Sequence, residues 1–252
     1  MSTFDGKVAI VTGATEGIGA TVAEALVRQG ASVVGVARRI ELGEQMLSNL
    51  GTDRAAFVPG DVAEPETAAR AVAAAEERFG SIDLLVNNAA IDLTGPSLVE
   101  TTVDDARRAV DVNFLGALWM LQAAAAAMLG RGGSIVNVAS RTGIVGVPTM
   151  SVYGATKAAL LSLTRTAALE LAADNIRVNA VAPGLTETPL VEAWIKRQSD
   201  PESFRQSRAA TVPLGRFASP AEVADAILFL ASDSASHITG VTLPVDGGYT
   251  AA

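Results

Sequence analysis

The stretch Val8-Ala9-Ile10-Val11-Thr12-Gly13-Ala14-Thr15-Glu16-Gly17-Ile18-Gly19 decides how the rest of the chain is read. A short run rich in Val and Ile reads as a buried strand. Glycines at 13, 17 and 19 read as a tight turn, and the segment Ile18–Gln29 has helical spacing. A strand, a glycine turn and a helix start leave backbone N–H groups pointing outward with no Cβ in the way. The helix dipole adds its attraction, so the segment predicts a pyrophosphate site. The spacing is T-G-x-x-x-G-x-G rather than G-x-G-x-x-G. Gly19 is followed by Ala20, so the Lys-Ser/Thr pair that a P-loop needs is missing.

Outward from this segment, apolar strand-length runs alternate with Ala/Leu-rich helical segments. Strands are predicted at Val8–Thr12, Ser32–Val36, Ala55–Val58, Leu84–Asn87, Ser134–Ala139, Arg177–Val181 and Val241–Val245. Further helices are predicted at Pro65–Phe79, Val103–Met128, Tyr153–Ala172 and Ala221–Leu230, the last opened by a Ser219 cap and Pro220. This order predicts an α/β fold, one doubly wound parallel seven-stranded sheet with helices on both faces, over residues 1–252 as a single domain. The segment 186–213 lacks periodicity, carries Pro189, Pro201 and Pro213, and is expected to form a mobile substrate lid.

Composition narrows the function. The 252 residues are 49% hydrophobic and 18% charged, enough for a large core. With no cysteine, disulfides, thiolate metal sites and a cysteine nucleophile are excluded, no metal site is expected, and a cytoplasmic location is anticipated. The start of the chain lacks a secretory pattern, and no unbroken apolar stretch has the length of a membrane span. A net charge of −8 with scattered lysines and arginines argues against a nucleic-acid partner.

Tyr153 and Lys157 lie four apart in a helical segment and so share a face. Ser140 closes the fifth predicted strand, at the carboxyl edge where open α/β sheets bind ligands. The three side chains can therefore converge.

Together with the glycine turn, these residues resemble the short-chain dehydrogenases/reductases of ordinary length, the Tyr-x-x-x-Lys type, and the likeness extends over nearly the whole chain. Asp61-Val62, Asn87-Asn88-Ala89-Ala90, Asn113, Pro183-Gly184 and Thr188 match further motifs. In the family these positions respectively meet the adenine, steady the central strand, support a water near the lysine, flank the nicotinamide, and hydrogen-bond its carboxamide or the pyrophosphate. Ala90 departs from the usual glycine. Asp174-Asn175 likewise stands where a glycine is common, at a helix end where Asn can adopt the left-handed conformation.

The resemblance implies a Rossmann fold and hydride transfer between NADP(H) or NAD(H) and a secondary alcohol or ketone. It implies catalysis by Asn113, Ser140, Tyr153 and Lys157. Cofactor binding falls to Gly13, Thr15, Glu16, Gly17, Ile18 and Gly19 in the turn, Arg38 and Arg39 after the second strand, and Asp61, Val62 and Asn88. Tyr153, Lys157, Pro183, Gly184, Thr186 and Thr188 complete that set. A tyrosine, ordinarily near pKa 10, acts as a base near neutrality only if positive charge favours its phenolate. Lys157 and the nicotinamide are expected to supply it.

Ala37 stands where NAD-binding members usually have Asp, and Arg38 offers a donor fork, so NADP(H) is expected over NAD(H). Glu16 argues the other way. Ile91, Leu93, Val145, Val147, Leu190 and Trp194 are expected to wall a pocket for an apolar or cyclic carbonyl compound. The alternative activity is reduction of a 3-oxoacyl group on an acidic carrier protein, for which the only basic rim residue at the long helix ends is Arg131. A serine hydrolase is excluded because the lone histidine, His237, has no G-x-S-x-G turn to serve. A non-catalytic dinucleotide sensor would not need the tyrosine, lysine and serine together. The partner set is then a small-molecule alcohol or ketone and further copies of the chain, a homotetramer, with Ala123–Ala127 expected to offer a flat packing surface.

Overall fold

The computed structural model describes residues 3–251. Strands β1 (Val8–Thr12), β2 (Ser32–Ala37), β3 (Ala55–Pro59), β4 (Leu84–Asn87), β5 (Gly133–Val138), β6 (Ile176–Pro183) and β7 (Thr242–Val245) form one sheet in the order 3-2-1-4-5-6-7. Every neighbouring pair is parallel. The chain winds outward through β2 and β3 on one side of β1, then returns to start β4 on the other. The crevice opens at that reversal, above the carboxyl ends of β1 and β4.

Alternate residues of each buried strand feed opposite layers. From β1, Ala9 and Val11 pack with α1 (Gly17–Arg28), α2 (Ile40–Leu50) and α9 (Pro220–Ala231) through Val22, Leu26, Met46 and Ile227. Val8 and Ile10 face α3 (Pro65–Phe79), α5 (Gly116–Met128) and α6 (Ser151–Glu170) through Ala71, Met120, Ala124 and Ala167. Each fully buried Val, Leu, Ile or Met side chain contributes about 1.5–3 kcal/mol, so both layers hold the sheet in place beneath the crevice.

The predicted strands agree with the structure to within a residue or two. Helix α9 opens with the expected cap: Ser219 Oγ accepts from Glu222 N (3.3 Å) and Glu222 Oε2 accepts from Ser219 N (2.8 Å), with Pro220 in the first turn. Asn175 does take the left-handed conformation, at φ 56°.

Two features differ from the sequence reading. The expected aperiodic segment 186–213 holds two helices, α7 (Pro189–Lys196) and α8 (Pro201–Ala209). Their prolines are first-turn residues rather than breakers, preceded by caps in which Thr188 accepts from Val191 N (3.3 Å) and Asp200 from Ser203 N (3.0 Å). The long helix runs over Val103–Met128 as expected, but α4 (Val103–Val110) passes into α5 through a wider π turn at Asp111–Leu115. Within Ala123–Ala127 the helical period turns Ala124 and Ala125 into the core and leaves Ala126 exposed, with Ala123 and Ala127 half-buried beside it on one small-residue face. The run 103–128 has the length and hydropathy of a membrane span, yet its buried side chains pack on the sheet.

The carboxyl edges of β1 and β4 are tied by one hydroxyl. Thr12 is buried, and its Oγ1 accepts from both Asn88 N and Ala89 N at 2.9 Å. Thr12→Val keeps the shape and removes the acceptor, stranding two amides. It should lower the unfolding free energy by about 2–4 kcal/mol in urea denaturation, while Thr12→Ser keeps most of it. A Thr12→Val protein as stable as the unaltered chain would contradict this role.

Candidate active site

A cleft of about 1060 Å³ runs along the carboxyl edge of the sheet, long enough to be lined by β2 at one end and α6 and α7 at the other. Its floor is the glycine turn. Gly13 (φ +65°) and Gly17 (φ +55°) hold left-handed conformations. A Cβ on Gly19 would sit 2.2 Å from Gly13 O and 2.5 Å from Asn88 Nδ2, so Gly19 lies behind the floor rather than on it. Asn88 clamps the turn by donating to Thr12 O (2.9 Å) and Gly13 O (3.3 Å). At the start of α1, Glu16 provides no side-chain cap, so the first-turn amides have no internal acceptor. A cradle that side chains would fill, faced by uncapped helix amides, fits a dinucleotide pyrophosphate.

At the β2 end, Arg38 and Arg39 are exposed at the rim, and Asp61 and Val62 follow β3. Glu16 forms an ion pair with Arg39. Arg38 forms no ion pair among the described residues, though its charge reaches Asp61. Burial raises the Asp61 pKa, but the hydrogen bonds from Arg108 and from Ala63 N (3.0 Å) and the charges of Arg108 and Arg38 outweigh it, so the carboxyl stays below its ordinary value.

At the other end, Ser140, Tyr153 and Lys157 come together. Two small residues let α6 approach. A Cβ on Gly143 would meet the Lys157 carbonyl carbon at 2.8 Å, and one on Gly154 would meet Thr142 O at 2.9 Å. Buried amides set the height of the helix: Asn87 Nδ2 donates to Asn137 Oδ1 (3.0 Å), and Asn137 Nδ2 donates to Thr164 Oγ1 (2.9 Å) on α6. Ser140 Oγ accepts from Thr142 N (3.2 Å) and from Thr142 Oγ1 (3.0 Å), which fixes its rotamer. Lys157 Nζ is buried, donates to Val138 O (2.8 Å), and stands 5.7 Å from the centre of the Tyr153 ring. Gly184 closes against Asp246, where a Cβ would come within 2.8 Å of its Cα, and Pro183, Thr186 and Thr188 line the adjacent wall.

Asn113 lies just behind the cleft rather than on its lining. It is buried behind the cleft wall in the π turn, with Oδ1 accepting from Ile91 N (2.8 Å) and Nδ2 donating to Ile91 O (3.0 Å) and Thr156 Oγ1 (3.4 Å). It fastens the loop after β4 to the helix. Of the expected pocket wall, Ile91, Leu93 and Leu190 line the cleft. Trp194 instead packs edge-on against Phe204 of α8 (4.8 Å between centroids), and Val145 and Val147 stand outside the cleft. Sequence reading missed Asp92, Lys196 and Arg197, which line the cleft, because isolated charges in unpatterned segments carry no spacing signal.

The protein's own groups set the starting electrostatics of the site. Burial, then the negative charge of Asp92, push the Tyr153 phenol up to about 12, against a smaller opposing effect of Ser140. Burial lowers Lys157 to about 8.

Comparison with known proteins agrees with this fold. A family model described as enoyl-(acyl carrier protein) reductase matches residues 13–250. A solved structure described as a short chain dehydrogenase/reductase family protein superposes with a TM-score of 0.89 at 41% identity, covering 99% of this chain and 100% of that one. The chain belongs to the short-chain dehydrogenase/reductase family. Similar members of the family include the trans-4-hydroxycyclohexanecarboxylate dehydrogenase of Sinomonas cyclohexanicum, 42% identical over 97% of this chain and 93% of that one. The cis-4-hydroxycyclohexanecarboxylate dehydrogenase of the same organism is 44% identical over 98% of each. A 3-oxoacyl-[acyl-carrier-protein] reductase of Thermotoga maritima is 38% identical over 97% of this chain and 98% of that one.

The buried ammonium of Lys157 has one hydrogen bond and costs stability. Its drop from 10.5 to about 8 amounts to roughly 3 kcal/mol against the folded state at neutral pH. Between those two values the unfolded chain holds the proton and the folded one does not, so this penalty fades as pH rises. Lys157→Met should therefore unfold at higher denaturant concentration than the unaltered protein at pH 7, with the gain shrinking between pH 8 and 10.5. A Lys157→Met protein less stable at pH 7 would overturn this.

Proposed function

We propose that this chain is a nicotinamide-dependent dehydrogenase of a secondary alcohol carried on a small apolar ring, acting reversibly with the corresponding ketone. The observation that carries the reading is the meeting of Ser140, Tyr153 and Lys157 in the same cleft as a glycine-floored pyrophosphate cradle. When bound, the nicotinamide exchanges hydride with the carbinol carbon and, oxidised, brings positive charge that favours the Tyr153 phenolate. In reduction, Tyr153 is the neutral acid, held protonated by its raised pKa of about 12, and gives its proton to the new alkoxide. In oxidation it takes that proton back. Ser140 donates to the same oxygen. Lys157 spends one N–H on Val138 O and has two left for ribose hydroxyls.

Ile91, Leu93, Leu190 and Val191 offer apolar surface to a ring. Kinship with the two hydroxycyclohexanecarboxylate dehydrogenases supports that substrate class. A net charge of −8 disfavours docking of an acidic carrier protein, so the substrate is a free small molecule. Residues 1–252 work as one domain, with α7 and α8 covering the substrate. Tyr153→Phe keeps the ring and removes the transferable proton. Turnover should fall about 10²–10⁴-fold while cofactor binding, followed by fluorescence titration, stays within a few-fold. Retention of more than about a tenth of the activity would refute proton transfer by Tyr153.

The cofactor is NADP(H) in preference to NAD(H). The carboxylate of Glu16, which alone would repel a 2′-phosphate, is paired with Arg39, and Arg38 remains at the rim with its donor fork uncommitted. Arg38→Ala should lower kcat/KM with NADP(H) about 10- to 100-fold and leave NAD(H) nearly unchanged. Equal or better efficiency with NAD(H) in the unaltered protein, insensitive to the substitution, would count against the preference.

A further inference from the structure

Helix α7 spans the mouth of the cleft from the pyrophosphate cradle to the substrate end. At its start, a Cβ on Gly17 would meet Thr188 Cγ2 at 3.3 Å and Pro189 Cδ at 3.7 Å. The helix then runs about 12 Å, at about 1.5 Å per residue, to Lys196 and Arg197. There Arg197 Nη2 lies 3.9 Å from Oδ2 of Asp92, in the loop that also supplies Ile91 and Leu93. Leu190, Val191 and Ala193 of α7 line the cleft before the two cations do, so an apolar wall ends in positive charge. The guanidinium root is fixed because Nε donates to Ala193 O at 3.2 Å, and 3.9 Å to Asp92 is an ion-pair separation without a hydrogen bond. The terminal nitrogens of Arg197 therefore have donors to spend.

We propose that the substrate carries a carboxylate on the far side of its ring from the carbinol, and that Arg197, with Lys196 beside it, reads that carboxylate. The inference rests on the ring-alcohol reading above. A planar donor fork matches a carboxylate bidentately, which a lone ammonium does not. The acid thus enters with its carbinol toward Tyr153 and its charge toward the end of α7.

The test compares trans-4-hydroxycyclohexanecarboxylate with its methyl ester in steady-state oxidation, for the unaltered enzyme, Arg197→Met and Arg197→Lys. Calorimetry of cyclohexanecarboxylate and cyclohexanecarboxamide binding to the nicotinamide-loaded proteins runs in parallel. The unaltered enzyme should favour acid over ester by about tenfold or more in kcat/KM. Arg197→Met should erase that preference through KM, and Arg197→Lys should keep part of it. Equal losses for acid and ester would make Arg197 a latch onto Asp92 and overturn the proposal. If neither ring alcohol is oxidised, the ring-alcohol reading fails and calorimetry decides this one separately. Tighter binding of the acid than the amide, lost in Arg197→Met, upholds carboxylate recognition, and equal binding of the two overturns it.

Discussion

The turn from β1 into α1 can close only where side chains are missing, and the rest of the site is arranged around that closure. A methyl group at Gly19 would overlap the carbonyl of Gly13, and Gly13 and Gly17 hold backbone conformations that other residues adopt only under strain. Once closed, the turn aims uncapped amides into the crevice and brings Asn88 against it. Thr12 then locks β1 to the loop after β4. That loop continues into Ile91 and Asp92, so the pyrophosphate cradle and the substrate wall form one mechanically continuous piece.

The opposite wall is positioned by buried polar contacts rather than by apolar packing alone. Asn87, Asn137 and Thr164 form a chain across β4, β5 and α6, and the amide of Asn113 holds the backbone of Ile91 from behind. Such contacts are directional, so they fix the depth of α6 where a greasy interface would let it slide. The cost appears at Lys157, whose ammonium is buried with one carbonyl for company. A group that folding alone would not choose is retained where a ligand can use it.

The sheet and the layers were legible because buried parallel strands are unbroken apolar runs and their covering helices keep a clean period. The glycine turn and the Ser140, Tyr153 and Lys157 convergence were legible because their spacing is dictated by the fold. What escaped follows from longer-range physics. Helices α7 and α8 were hidden because Pro189 and Pro201 look like breakers until the caps at Thr188 and Asp200 are seen. The hold of Asn113 on the backbone of Ile91 joins two segments that no local spacing links. The raised pKa of Tyr153 follows from burial and from Asp92, neither of which is encoded near residue 153.

Direct hydride movement between a ring carbinol and a nicotinamide in this cleft is the step on which every other role in the site depends. The decisive measurement is to incubate the enzyme and oxidised nicotinamide with trans-4-hydroxycyclohexanecarboxylate deuterated at the carbinol carbon, then locate the label by NMR. The account predicts deuterium at C4 of the reduced nicotinamide, on one face, with the ketone formed in equal amount. Unlabelled nicotinamide, or no reduction with any ring alcohol or ketone in either direction, would contradict it.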